Sequence, residues 1–126
     1  MKVKSIIKKG IEVSNDDFYL MYEEILMACK EWIYNIQILY ADKLDIDIEV
    51  DNAKELVVNI DSDNYLGSLY ISGPNFRPYN FVEFIILDIN QDIGKVPAFW
   101  YGDKEGNTAQ EIIDNLNIGL ELLLQE

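Results

Sequence analysis

The chain contains no histidine and a single cysteine, Cys29. Without imidazole it lacks the commonest general base and the commonest transition-metal ligand. One thiol gives no internal disulfide and no basis for a zinc site, and it fits a reducing compartment. Neither a Ser–His nor a Cys–His nucleophile pair can be built. Cys29 lies in the middle of an apolar helical stretch, where it reads as a small buried hydrophobe rather than a reactive thiol. Glycine is sparse too, and its seven occurrences never fall into GxGxxG or GxxxxGK[ST] spacing, so no phosphate-binding loop is indicated. No apolar run approaches about 18 residues, which leaves no candidate for a membrane span. The basic start, "MKVKSIIKKG", has neither the apolar core nor the small-residue cleavage site of a signal peptide. A cytoplasmic protein with no membrane association is expected.

Positive charge is scarce. Ten basic residues against 23 acidic ones leave a formal charge of −13. Such a field disfavours nucleic acid and anionic lipid and attracts cationic partners over a Debye length of about 8 Å. Solubility alone is the simpler use of the same charge. The 126 residues suit one domain, 1–126, and 49% of them are hydrophobic. A chain of this size buries roughly two thirds of its unfolded surface and needs no covalent staple.

What is present is periodicity. Asp16 and Asp17 follow a possible N-cap at Ser14, a suitable place for carboxylates beside a helix dipole. Phe18, Tyr22, Ile25, Cys29, Trp32, Ile36 and Leu39 or Tyr40 then recur every three or four residues. The spacing predicts a helix over 15–41, with Trp32 on its inner face. Residues 1–13 read as either a short helix or a strand. In "LDIDIEVD" (44–51) the period switches to two: Leu44, Ile46, Ile48 and Val50 alternate with Asp45, Asp47, Glu49 and Asp51. That is a strand with one buried face and one row of carboxylates, although acidic residues form strands poorly and repel along a face.

"KELVVNI", "YLGSLYIS", "YNFVEFIILDI" and "VPAFWY" follow as further strands, separated by "DSDN" (61–64), "GPNFRP" and "NQDIGK". Pro97 argues that the last is an edge strand or carries a bulge. Thr108 and Glu111 then form a T-x-x-E capping box. It opens a helix to about residue 124, with Ile112, Ile113, Leu116, Leu120 and Leu123 inward and Gly119 as a weak point of about 1 kcal/mol. The expected fold is α+β: a four- to five-stranded antiparallel meander flanked by a long N-terminal helix and a C-terminal helix.

Candidates for chemistry are few. "NIDSDNYLGSLY" and "DINQDIGKVPAF" resemble calcium loops in their oxygen spacing, but neither has glycine at position six or glutamate at twelve, and both read as turns between strands. A pair of carboxylates acting as a hydrolase remains formally open. The strand and loop aromatics mostly suit a core. "AFWY" nevertheless sends Phe99 and Tyr101 to one side and Trp100 to the other, more than one helix layer can cover. In "GPNFRPYN", a proline-stiffened loop presents Phe76, Arg77 and Tyr79, side chains of the kind that anchor protein interfaces. A plain strand connection is the alternative there.

The stretch "NYLGSLYISGPNFRPYNFVEFIILDINQDIGKVPAFWYGDKEGNTAQEIIDNLNIGLELLL", roughly residues 64 to 124, resembles the immunity proteins of bacterial polymorphic-toxin and contact-dependent growth-inhibition systems. It is most similar to the group with a tryptophan-containing strand pair, sometimes called TriTu. It differs from that group in lacking a tryptophan in "SLYIS" and in carrying Trp100 in the last strand. The resemblance implies a non-enzymatic inhibitor without cofactor or metal. Its partner would be a cognate toxin domain, basic and by expectation a nuclease, whose active site or substrate cleft it occludes. Acidic side chains supply a physical reason, since they can mimic phosphates and speed capture of a cationic cleft. The partner-binding candidates are Asp45, Asp47 and Glu49, then Asp61 and Asp63, then Phe76, Arg77 and Tyr79. The chain itself is expected as a monomer or weak homodimer. An acidic nucleic-acid mimic or adaptor acting on a host protein, and a carboxylate-dependent hydrolase, are the alternatives.

Overall fold

In the computed structural model, the structure describes residues 15–73, 80–91 and 96–125, with side chains from Leu20 onward. Helix α1 (Asn15–Leu39) leads into five strands, β1 (Asp45–Asp51), β2 (Leu56–Asp61), β3 (Tyr65–Ile71), β4 (Val82–Asp88) and β5 (Phe99–Gly102). Helix α2 (Ala109–Leu123) follows. The strands pair in sequence order, β1-β2-β3-β4-β5, each antiparallel to the next. The expected α+β meander is the observed fold, with five strands.

The helical period does what its spacing demands. Tyr22, Ile25, Cys29, Trp32 and Ile36 are buried on one face of α1, joined by Leu26 and Ile33. Leu39, one of two candidates for the last inward position, is exposed, and Tyr40 packs against the core instead. The chain turns there: the Tyr40 N–H still donates to the Ile36 carbonyl, and both Lys43 and Leu44 donate to the carbonyl of Tyr40. Residues 1–13, the proposed cap Ser14 and the Phe18 side chain lie outside the described residues and side chains. At the other end, the capping box of α2 is complete. The Glu111 N–H donates to Thr108 Oγ1 at 3.1 Å, and the Thr108 N–H donates to Glu111 Oε1 at 2.8 Å, satisfying two amides the helix itself cannot.

Both helices cover the same side of the sheet. Leu56, Val58 and Ile60 of β2, Leu69 and Ile71 of β3, and Val82, Phe84 and Ile86 of β4 meet them in one core cluster. Phe84 sits at its centre with edge-to-face contacts to Trp32 of α1 (centroids 6.2 Å apart) and to Phe99 of β5 (5.7 Å). Trp32 is 7% exposed, and its indole N–H donates to Asn117 Oδ1 at 2.8 Å, tying the two helices together. Burying an aromatic side chain of this kind is worth about 1.5–3 kcal/mol in transfer terms alone.

Two sequence expectations change. Asp61 is the last residue of β2, not part of the turn that follows. The four-carboxylate row of β1 also breaks at a bulge. Ile48 lies opposite Val58 but Val50 lies opposite Val57, so Glu49 is an extra residue with no partner of its own. One extra residue exchanges the two faces beyond it. Asp51 therefore turns toward α1, where Lys30 Nζ lies 2.9 Å from its Oδ1 and the Tyr34 hydroxyl donates to its Oδ2. Those hydrogen bonds, Tyr34 first and then Lys30, hold the Asp51 carboxyl below its ordinary range. Asp45, Asp47 and Glu49 keep the outward row.

Candidate functional site

Packing both helices on one side leaves the opposite face of the sheet uncovered among the described residues. Strand alternation decides what it shows. In β1 the outward residues are Asp45, Asp47 and Glu49, all exposed, and beyond the bulge the half-buried Val50. Across the ladder, Asp45 pairs directly with Asp61 and Asp47 with Asn59. Like charges directly opposite one another destabilise a sheet, and Asp61 registers it. Its carboxyl is pushed above the ordinary aspartate range by burial first, then by the charges of Asp45 and Asp47, with a partial offset from the Gly67 N–H. Glu49 is steadied by the amide of Asn59, which donates to its Oε2. Asp63 is exposed in the turn after β2, and an open hollow between the α1–β1 and β2–β3 turns is lined by Asp42, Asp45, Asp61 and Asp63 together with one cation, Lys43. Five of the sequence-derived candidates, Asp45, Asp47, Glu49, Asp61 and Asp63, are thus gathered in one corner. Phe76, Arg77 and Tyr79 lie outside the described residues.

Of the other half of the face, the sequence pointed to Trp100 alone, which "AFWY" sends to the side opposite Phe99 and Tyr101. Leu66 and Tyr70 of β3, Leu87 of β4 and Trp100 of β5 all project outward and are 45–57% exposed. Ile85 is half-buried between Ser68 and Trp100, its cross-strand neighbours. The signal was available: "YLGSLYIS" and "VEFIILD" carry apolar residues at both parities, so neither strand can hide all of them on one face. Trp100 is held in place. Its Nε1–H donates to Glu83 Oε2 at 3.0 Å, and the benzenoid edge of its ring lies over Gly102. A Cβ there would come within 2.9 Å of Cζ2 and 3.0 Å of Cη2. The result is an open surface with carboxylates at one end and exposed apolar side chains, the held Trp100 among them, at the other.

Further exposed apolar side chains, Leu20, Met27 and Ile38, lie on the side of α1 directed away from the core. Three buried or half-buried ionisable groups are structural. The Cys29 thiol is fully buried and pushed up to about 12 by burial, with the charge of Asp103 adding to it. Burial likewise carries Tyr101 up to about 12. The buried Asp103 carboxylate accepts from the N–H of Asn80 at 2.9 Å and of Val82 at 2.8 Å, closing the chain around the entry to β4. A thiol with that burial and pKa is no nucleophile at neutral pH. Among the described residues no group of three or more acidic or cysteine side chains is placed to hold a metal ion, and no helix is long and apolar enough to cross a membrane.

In comparisons with known proteins, no family model matches this chain, and no curated protein or solved structure matches it either. What the geometry defines is a class: an α+β meander with both helices on one side of the sheet and a charged, aromatic face on the other.

Proposed function

We propose that this chain is an immunity protein. It binds a cognate toxin domain in the cytoplasm through the open face of its sheet and blocks the toxin's substrate cleft, without catalysis of its own. The observation that carries the reading is the Asp45–Asp61 pair, set in a carboxylate corner on the same sheet face as the exposed Tyr70 and the held Trp100. Repulsion within that corner is relieved when a cationic surface docks on it, so the free protein stores a preference for a basic partner. Exposed tryptophan, tyrosine and leucine on that face supply the desolvated anchors that charge alone does not provide. A basic nuclease, whose cleft is built for phosphate, has the complementary surface.

The same corner supports a nucleic-acid mimic acting on a host protein, and the identity of the captured partner separates the two. A two-carboxylate hydrolase fits the face less well. Asp45 and Asp61 lie beside an open hollow on a sheet face, without the walls that would exclude water around a substrate.

The test begins with the gene immediately upstream. Its product, expressed alone, should arrest growth, and expression of this chain should restore it. The two proteins should also co-elute as a complex that weakens with salt. A harmless upstream product, or a toxic one that this chain neither binds nor neutralises, overturns the proposal. Capture of a host nucleic-acid-binding protein would transfer the reading to the mimic.

A further inference from the structure

The fixed position of Trp100 needs its own explanation. An indole on a solvent-facing strand position ordinarily samples several rotamers, and fixing it costs entropy. Here the ring is pinned at two points of its rim, by Glu83 through Nε1–H and by the missing side chain at Gly102. Gly102 is itself buried beneath the ring, and Trp100 still remains 57% exposed. Glu83 lies directly opposite Gly102 on one side and Tyr70 on the other, so the carboxylate stands between the two most exposed aromatic residues of the sheet face. Two strand spacings, roughly 9–10 Å, separate the positions that flank it. A carboxylate accepts at two oxygens, and the indole occupies one.

We infer that Trp100, Glu83 and Tyr70 form an anchor site for an arginine side chain of the protein partner. The guanidinium lies against the exposed indole and donates to Glu83, and the aliphatic stem packs on Tyr70. Arginine fits better than lysine because its planar, weakly hydrated cation stacks on an aromatic ring and can still direct N–H groups at a carboxylate in the same plane. The chain's charge of −13 selects for a cation at this position, and the acidic corner at β1 and β2 guides it there. This deepens the partner-binding reading and rests on it for biological meaning, but not for its measurement.

The experiment uses the full chain and three blocked peptides of alternating glycine with three arginines, three lysines or three citrullines. Binding is followed by the two indole N–H resonances. Trp32, buried between the helices, serves as the internal reference. The arginine peptide should shift the Trp100 resonance saturably and bind about five- to tenfold more tightly than the lysine peptide. The citrulline peptide should leave it unmoved. Glu83→Gln keeps an acceptor for the indole but removes the charge, and should erase the preference for arginine. Gly102→Ala, which displaces the ring edge, should do the same with the circular dichroism spectrum unchanged. Asp45→Asn with Asp47→Asn should weaken both cationic peptides equally and preserve their ratio. Equal affinity for arginine and lysine, or shifts confined to the β1–β2 corner with Trp100 still, would overturn the anchor. Its failure would leave the toxin reading standing if the upstream product still binds. An anchor that works with an upstream product that does not bind would remove the toxin reading alone.

Discussion

Phe84 and Gly119 lie so close that no side chain fits between them. A Cβ added to Gly119 would stand 2.7 Å from Phe84 Cε2 and 3.0 Å from Phe99 Cε2. In an isolated helix, Gly119→Ala should gain about 1 kcal/mol. Here Phe84 is fully buried and braced by Trp32 and Phe99, so its ring has nowhere to go. Overpacking a core typically costs about 1–3 kcal/mol and outweighs the propensity gain. Urea unfolding of Gly119→Ala should therefore show a lower midpoint than the parent, and a higher midpoint would mean that α2 can lift off β4 freely.

Asp103 invites a different substitution. Its two oxygens serve two backbone N–H groups, at Asn80 and Val82, and Asn80 has a φ of 69°, a left-handed conformation that a non-glycine residue holds only with support. Asparagine offers one acceptor oxygen and turns an NH2 toward the second amide. A buried donor left unpaired costs about 1–3 kcal/mol. Asp103→Asn should lose stability on that scale, with faster hydrogen exchange at the Asn80 or Val82 amide. Unchanged exchange at both amides would show that the carboxylate does not hold this corner.

The two cases mark what a linear sequence does and does not reveal. The change of period at Leu44, the T-x-x-E box at Thr108 and the inward stripe through Trp32 are local patterns, and each became the element it predicted. Gly119 looked like a flaw in α2 because its neighbours come from β4 and β5, which only the packed sheet brings near. The bulge at Glu49 carries no glycine to announce it, so Asp51 was read with the wrong face. The Trp100–Glu83 contact spans 17 positions and depends on the β4–β5 register. Charge, by contrast, needs no register to be visible, and the carboxylate corner was legible from "LDIDIEVD" and "DSDN" alone.

Capture kinetics should separate the two halves of the sheet face. The triple change Asp45→Asn, Asp47→Asn, Glu49→Gln removes outward charge without touching the core, and it relieves the repulsion facing Asp61. Thermal stability should hold or rise slightly. Association with the upstream gene's product should slow and lose most of its salt dependence, since exposed charges act chiefly on encounter. Trp100→Ala should instead quicken dissociation, as removal of a central aromatic anchor does. Stopped-flow association at low and high salt measures both, and an on-rate indifferent to salt and to the triple change would reduce the corner to a solubility device.

The last prediction concerns pH and sets two aspartates against each other. Asp61 has its carboxyl raised by burial and by Asp45 and Asp47, so the folded chain holds this proton to higher pH than the unfolded chain does. Its contribution to stability is present below the ordinary aspartate value of 3.8 and is lost as pH rises through the folded value. Asp51 is the reverse. Tyr34 and Lys30 depress its carboxyl, so its contribution is present above 3.8 and is lost as pH falls through the folded value. At neutral pH, Asp61→Asn should melt above the parent and Asp51→Asn below it. As the pH is lowered through about 4, the advantage of the first and the deficit of the second should both shrink. Melting curves of the three proteins across that range decide the matter. An Asp61→Asn advantage that grows on acidification would mean that the facing pair at β1 and β2 is not under charge repulsion, and the electrostatic case for a cationic partner would lose its foundation.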